Sequence, residues 1–146
     1  MKVLTLTEPW AMLMALDLKR IETRSWYTAY RGPLAIHAAK GFPRSAIELC
    51  REEPFLVALV DAGVRRPGDL PRGAIVAVVE LVDCLETGIW SFVPPEPELS
   101  FGDFSQGRFA WFTENVRRLK VPLPCKGTLG LWEGPEITEE MLEAKP

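Results

Sequence analysis

Cysteine, histidine and long apolar runs are scarce in this chain, and each scarcity closes off a class of function. Cys50, Cys84 and Cys125 are odd in number and widely spaced. They lack the paired spacing of a disulfide framework or of zinc ligands and are read as reduced, mostly buried thiols. Neither a metal nor a cofactor is expected. The apolar run from Trp10 to Leu16 is too short to span a bilayer. No basic-then-apolar leader precedes KVLTLT, so nothing in the sequence marks secretion or membrane insertion. The expected compartment is the cytoplasm.

A strong excess of one charge is also missing, with a net charge of -3 and a sequence pI near 5.3. The acids are unevenly placed, however. The segment 133–146 holds five of them against Lys145, so residues 1–132 carry +1. Cations fall in two groups, Lys19, Arg20, Arg24, Arg31, Lys40 and Arg44, then Arg108, Arg117, Arg118, Lys120 and Lys126. Local basic surface is expected on a chain that is not basic as a whole.

What the chain does have is a core. Its 146 residues are 47% hydrophobic, enough for one domain over 1–146 with no need of covalent staples. KVLTLT reads as a strand. Thr7 is placed as the cap and Pro9 in the first turn of a helix over the run that begins at Trp10. After a turn the chain becomes extended near Arg20, and period-two alternation puts Arg20, Glu22, Arg24 and Trp26 on one face and Ile21, Thr23 and Ser25 on the other. Lys19, at the turn, can swing its ammonium toward Glu22. RGPLAIHAAK is a further strand, and Pro43 and Pro54 open two helices that form an insertion over about 43–63, closed by Gly63.

GAIVAVVELVDCL, from Gly73 to Leu85, is rich in β-branched residues and belongs at the centre of the sheet. Glu80 lies on its Val76, Val78 and Val82 face, where it must be paired, protonated, at the barrel mouth, or solvated near an edge. Residues 86–107 read as a long loop over one end of the barrel. RFAWFTENVRRLKVPLP and GTLGLWEG supply two closing strands. ITEEMLEA, with Thr138 as cap, ends the chain in a short helix. The fold class is therefore α+β, mainly β, a small antiparallel β-barrel with peripheral helices.

Lys-x-x-Glu-x-Arg after a helix opened by Pro-Trp-Ala, followed by RSW, YRG and IHAAK and later by RFAWFTENVRRL and KGTLGLWEGP, resembles the ASCH domain family, whose fold is similar to that of PUA domains. Two departures stand out. Asp17 occupies a position that the family pattern gives to glycine; a left-handed residue ending the helix is expected there, with an extra carboxylate near Lys19. Glu8 precedes Pro9 where many members carry Gln, which would replace an amide with an acceptor if it lines a pocket.

The resemblance implies ligands containing nucleosides. Recognition of RNA or a nucleotide would use Trp10, Lys19, Glu22, Arg24, Ser25, Trp26, Arg31 and Lys40. Trp10, Trp26, Tyr27 and Tyr30 could stack bases while Lys19, Arg24 and Lys40 meet phosphates. Trp111 and Trp132 are read as core or barrel-rim packing. A second implied activity is removal of the acetyl group from N4-acetylcytidine, for which some small bacterial members use the motif lysine, a threonine and a glutamate. Lys19 is kept here, but Glu22 stands at the threonine position, and Glu22 or Glu80 would have to exchange protons. The metal-dependent ribonuclease activity of other members finds no carboxylate cluster here. A third possibility is a protein-interaction module of the kind found in transcription coactivators, with its partner unnamed by the sequence. His37 is either a hydrogen-bonded barrel residue or a ligand contact. Two geometric questions separate these readings. Closure of Glu96, Glu98 and Asp103 over Lys19 would favour a nucleoside-sized ligand, and continuity of Arg117–Lys126 with the Lys19 surface would favour a polymer.

Overall fold

A long central strand organises the computed structural model, which describes residues 1–88 and 92–145. This strand, β4 (Ala74–Glu86), lies within a six-stranded sheet with the order β2-β5-β4-β3-β1-β6. The other strands are β1 (Lys2–Leu6), β2 (Ile21–Arg24), β3 (Gly32–Ala38), β5 (Phe109–Pro124) and β6 (Leu131–Glu133). β1 runs parallel to β3, and the other four pairings are antiparallel. The sheet curls into a half-barrel, giving the small α+β, PUA-like architecture expected.

Alternation along the strands feeds two cores. Leu4 and Leu6 of β1, with Leu34, Ile36 and Ala38 of β3, face the larger one. Val3 and Ala35 point the other way, to a smaller cluster with Ile75, Leu119, Ile137 and Leu142. Helix α1 (Trp10–Ala15) covers the larger core, burying Ala11 through Ala15. Burial of each large side chain in such a face stabilises by about 1.5–3 kcal/mol. The insertion forms α2 (Arg44–Leu49) and α3 (Phe55–Asp61) between β3 and β4, and Phe55 and Leu59 join the same core. Gly63, at φ +86°, follows α3 in the left-handed conformation that a side chain would oppose.

Three local expectations change. Thr7 makes no side-chain cap for α1. The Glu8 carboxylate does so instead, its Oε1 accepting from the Met12 N–H at 2.8 Å. The face assigned to Glu80 loses one member, because the pairing of β4 shifts register between Ile75 and Ala77. That shift resets the alternation at Val76. Val76 consequently enters the larger core while Val78 and Glu80 stay half-buried on the outer side. The terminal ITEEMLEA helix shrinks to one 3₁₀ turn, Glu139–Met141, with Thr138 capping it as expected.

Residues 89–91 of the expected 86–107 loop lie outside the described part, as does residue 146. The rest of that loop contains a single helical turn, α4 (Glu98–Phe101), which buries Phe101 against Phe55 at a ring-centroid distance of 5.0 Å. Among the described residues, no helix is long and apolar enough to cross a membrane.

Candidate functional site

The α1–β2 turn is built around Asp17 and Lys19. Asp17 adopts φ +59°, the left-handed conformation anticipated for it, and Leu18 and Lys19 donate their backbone N–H groups to the Leu13 carbonyl. The Asp17 carboxylate turns to Arg20, at 2.9 and 3.0 Å, and makes no pair with Lys19. This leaves Lys19 free to fold inward. Its side chain is fully buried; its Nζ donates to the Ile21 carbonyl and lies 3.6 Å from Glu22 Oε1 and 3.9 Å from Glu98 Oε2.

Glu22 and Arg24 share one face of β2, as alternation requires, and Arg24 Nη1 lies 3.3 Å from Glu22 Oε2. Glu22 therefore bridges a buried ammonium and a half-exposed guanidinium. From the long loop, Glu98 reaches back to the same turn, its Oε1 accepting the N–H of Arg20 at 2.6 Å and of Ile21 at 3.2 Å. Burial holds the Glu98 carboxyl above its ordinary range, against the lowering effect of these N–H groups and Lys19. Asp103 donates its backbone N–H to Thr23 Oγ1, and its carboxylate, kept low by hydrogen bonds from Ser105, stands 3.3 Å from Arg108 Nε. Glu96 turns instead to Ser100. The loop thus covers Lys19 chiefly through Glu98.

Two adjoining hollows open beside this covered turn. The larger, about 1230 Å³, is lined by Arg24, Lys40, Arg72 and Lys126, with Thr5 and His37 in its wall and the loop Lys126–Gly130 along one side. No aspartate or glutamate lines it. The smaller, about 380 Å³, brings Trp10, Phe55 and Phe101 together with Glu22, Asp103 and Arg108. Thr7 and Arg24 line both, so the two hollows form one cleft, cationic at one end and aromatic at the other.

Sequence-predicted residues divide sharply on this map. Trp10, Glu22, Arg24 and Lys40 line the cleft. Trp10 is braced by donation of its indole N–H to the Phe101 carbonyl at 2.8 Å. Lys19 lies behind the cleft, beneath Glu22. Trp26 packs edge-on against the fully buried Trp111, with the Arg24 guanidinium 5.9 Å from its ring centroid. Ser25 is exposed, directly after the end of β2. Arg31 is at the opposite end of β3 from Lys40, about 30 Å away along an extended chain, where it meets Asp83 and the Thr28 carbonyl. Glu80 is in a separate hollow with Asp17, Arg20 and Glu114, facing Glu114 directly across the sheet. The structure does not bring Glu80 to Lys19 or to the cleft.

His37 has both ring nitrogens engaged, Nδ1 with Thr5 Oγ1 at 3.1 Å and Nε2 with the Cys125 carbonyl at 2.8 Å. It is at once a hydrogen-bonded sheet residue and part of the cleft wall. From the second basic group only Lys126 reaches the cationic hollow. Arg117 is taken up by Glu139 at 2.6 Å and by the Glu143 carbonyl. The cleft also contains residues that sequence reasoning missed, Thr5, Thr7, Arg72 and the loop residues 127–130. Only the loop had a legible signal, glycines at 127 and 130 directly after a lysine. Among the described residues no group of three or more His, Cys, Asp and Glu side chains is arranged to hold a metal.

A PUA-like half-barrel with Lys-x-x-Glu-x-Arg at the α1–β2 turn and a cationic cleft beside it defines the class of domain. The family model described as "ASCH domain" matches residues 4–123, and the chain belongs to that family. It is similar to the mouse protein "Activating signal cointegrator 1", with 34% identity over 130 residues, covering 89% of this chain and 22% of that protein. The human protein of the same name is 33% identical over 130 residues with the same coverage. The chain thus spans 22% of the length of the curated relatives it matches.

Proposed function

We propose that this chain is a single ASCH domain, residues 1–146, that recognises RNA or a phosphate-bearing nucleotide through its cleft. The observation that carries this reading is the one-signed lining of the larger hollow. Lys40, Arg72 and Lys126 have no carboxylate partner among the described residues, and Arg24 has only Glu22. Cations held together without counter-charge attract polyanions, and phosphate binding lowers their mutual repulsion. Trp10, Phe55 and Phe101 in the adjoining hollow offer apolar surface to a base or sugar.

The hydrolase reading has less support. Lys19 lines neither hollow, and its ammonium is satisfied by its own strand, Glu22 and Glu98. A buried lysine in that position suits a scaffold for Glu22 and Arg24 better than contact with a scissile amide. Closure by Glu98 was a sign favouring a small ligand, but it covers the lysine and leaves the cationic hollow open. The relatives' name supports a second reading, docking of a protein partner, for which the same cations would select an acidic segment. Three free cysteines fit a reducing compartment, and the cytoplasm is the proposed location.

The test is binding of a short single-stranded RNA, followed by anisotropy over a salt series, for the wild-type chain and for Lys40→Ala, Arg72→Ala and Lys126→Ala. Each variant is expected to weaken binding and to make the slope of log affinity against log salt shallower by about 0.7. Unaltered affinity in all three would overturn the placement of the site. Binding of acidic peptides in preference to RNA would support the protein-docking reading.

A further inference from the structure

One wall of the cleft consists of backbone. The loop Lys126–Gly130 leaves β5, returns at β6, and is pinned at both ends by a hydrogen-bond chain. The Trp132 indole N–H can only donate, and it meets Thr5 Oγ1 at 3.2 Å. The Cys125 carbonyl can only accept, so His37 Nε2 carries a proton and donates to it, while Nδ1 pairs with the Thr5 hydroxyl. The chain runs Trp132 to Thr5 to His37 to Cys125, tying β6, β1, β3 and the start of the loop into one unit.

Gly127 lies flat on this brace. A Cβ there would stand 2.7 Å from His37 Cε1 and 2.9 Å from Nδ1, closer than real Cβ atoms approach, and a tight 3.0 Å from Thr5 Oγ1. Glycine is therefore required for the loop backbone to sit where it does. Among the described residues, the N–H groups of Gly127, Thr128 and Leu129 have no acceptor in the fold, and neither does the Thr128 hydroxyl a partner. Lys126 contributes its charge from the same loop, and Lys40 and Arg72 from the neighbouring segments; all line the same hollow.

We propose that the Lys126–Gly130 loop, with Lys40 and Arg72, is a subsite for a terminal phosphate, a phosphomonoester at the end of an RNA or on a nucleotide. This rests on the nucleic-acid reading above and names the group recognised. A phosphodiester within a chain offers two non-bridging oxygens and one negative charge. A terminal phosphate offers three oxygens and a charge of about -1.5 to -2 near neutrality. Free backbone N–H groups on a glycine loop, a hydroxyl, two ammoniums and a guanidinium exceed what a diester can engage and match the terminal group. His37 and Thr5 act as positioning residues that keep the backbone donors in place.

The experiment compares one short RNA carrying a 5′-phosphate, a 3′-phosphate or only hydroxyl ends, at fixed ionic strength, on the wild-type chain, Gly127→Ala and Lys126→Ala. One phosphorylated form is expected to bind about tenfold more tightly than the hydroxyl-ended RNA, and both variants should bring that ratio close to one. The two phosphorylated forms identify the end recognised. Equal, salt-sensitive binding of all three RNAs by the wild-type chain would overturn the phosphate subsite and leave the nucleic-acid reading standing. Absence of binding to any of them would overturn both. Full discrimination retained by Lys126→Ala, which changes an exposed side chain and keeps the glycine, would remove the loop from the subsite even if Gly127→Ala fails to fold.

Discussion

Lys19 and Glu22 form a buried ion pair with 3.6 Å between Nζ and Oε1, and the lysine side chain has no solvent exposure. A motif lysine that reads in sequence as a ligand contact is in the structure an internal counter-charge for the strand that carries Glu22. Removing one partner of such a pair strands the other in a poorly solvated place.

Lys19→Ala is accordingly expected to lower stability by about 3–5 kcal/mol, with Glu22 and Glu98 left without their shared cation. Urea denaturation, read as a change in midpoint at unchanged slope, checks this. A variant as stable as wild type would show that Glu22 and Glu98 are satisfied without the lysine.

Arg24 differs, because it is half-buried and lines both hollows. Arg24→Ala is expected to weaken single-stranded RNA binding and to make the salt slope shallower by about 0.7, while the thermal midpoint moves little. A salt slope equal to wild type would place Arg24 outside the phosphate path.

Glu8 gives the fold a pH dependence. It is wholly buried, and desolvation pushes its carboxyl from 4.5 to about 7, against the lowering effect of the Met12 N–H. The unfolded chain releases this proton near 4.5, so between 4.5 and about 7 the folded state holds more protons than the unfolded one. Stability therefore declines as pH rises through that window, by about 3 kcal/mol from this group when complete. Glu8→Gln keeps the acceptor for Met12 and removes the titration. It should match wild type near pH 4 and exceed it at pH 8, as measured by paired denaturation curves. Parallel curves for the two proteins across that range would refute the assignment.

Asp17 holds a left-handed conformation at φ +59° and an exposed pair with Arg20. Asp17→Ala is expected to cost about 1 kcal/mol, since alanine disfavours that conformation and cannot pair. Asp17→Gly should cost less, because the backbone relaxes while only a surface pair is lost. Thermal midpoints of the two variants settle the order.

Period and punctuation made much of the fold legible. Alternation in β2 placed Glu22 and Arg24 together, β-branched content put β4 inside the sheet, and the left-handed role of Asp17 followed from its position after an apolar helix. What escaped was decided by long-range contact. Which of Glu96, Glu98 and Asp103 would close over Lys19 was open in the sequence, and Glu98, 79 positions further along the chain, is the one that reaches it. Glu80 keeps the face it was given beside Val78, and it lies away from the cleft because that face is the outer one, which alternation alone does not specify. Arg72 and Lys126 enter the cleft because β3 and β4, and then β5 and β6, end at the same side of the half-barrel. His37 was legible as a residue with two outcomes, and the structure shows the hydrogen-bonded sheet residue, set in the wall of the cleft.

The sheet begins and ends with its shortest members, four residues of β2 at one border and three of β6 at the other. Each border exposes about 10–14 Å of unpaired backbone. A foreign extended chain would find little length to zip against at β2 or β6, and further along β5 the backbone is met by the C-terminal segment, Leu119 pairing with Leu142 and the Arg118 carbonyl accepting the Glu143 N–H.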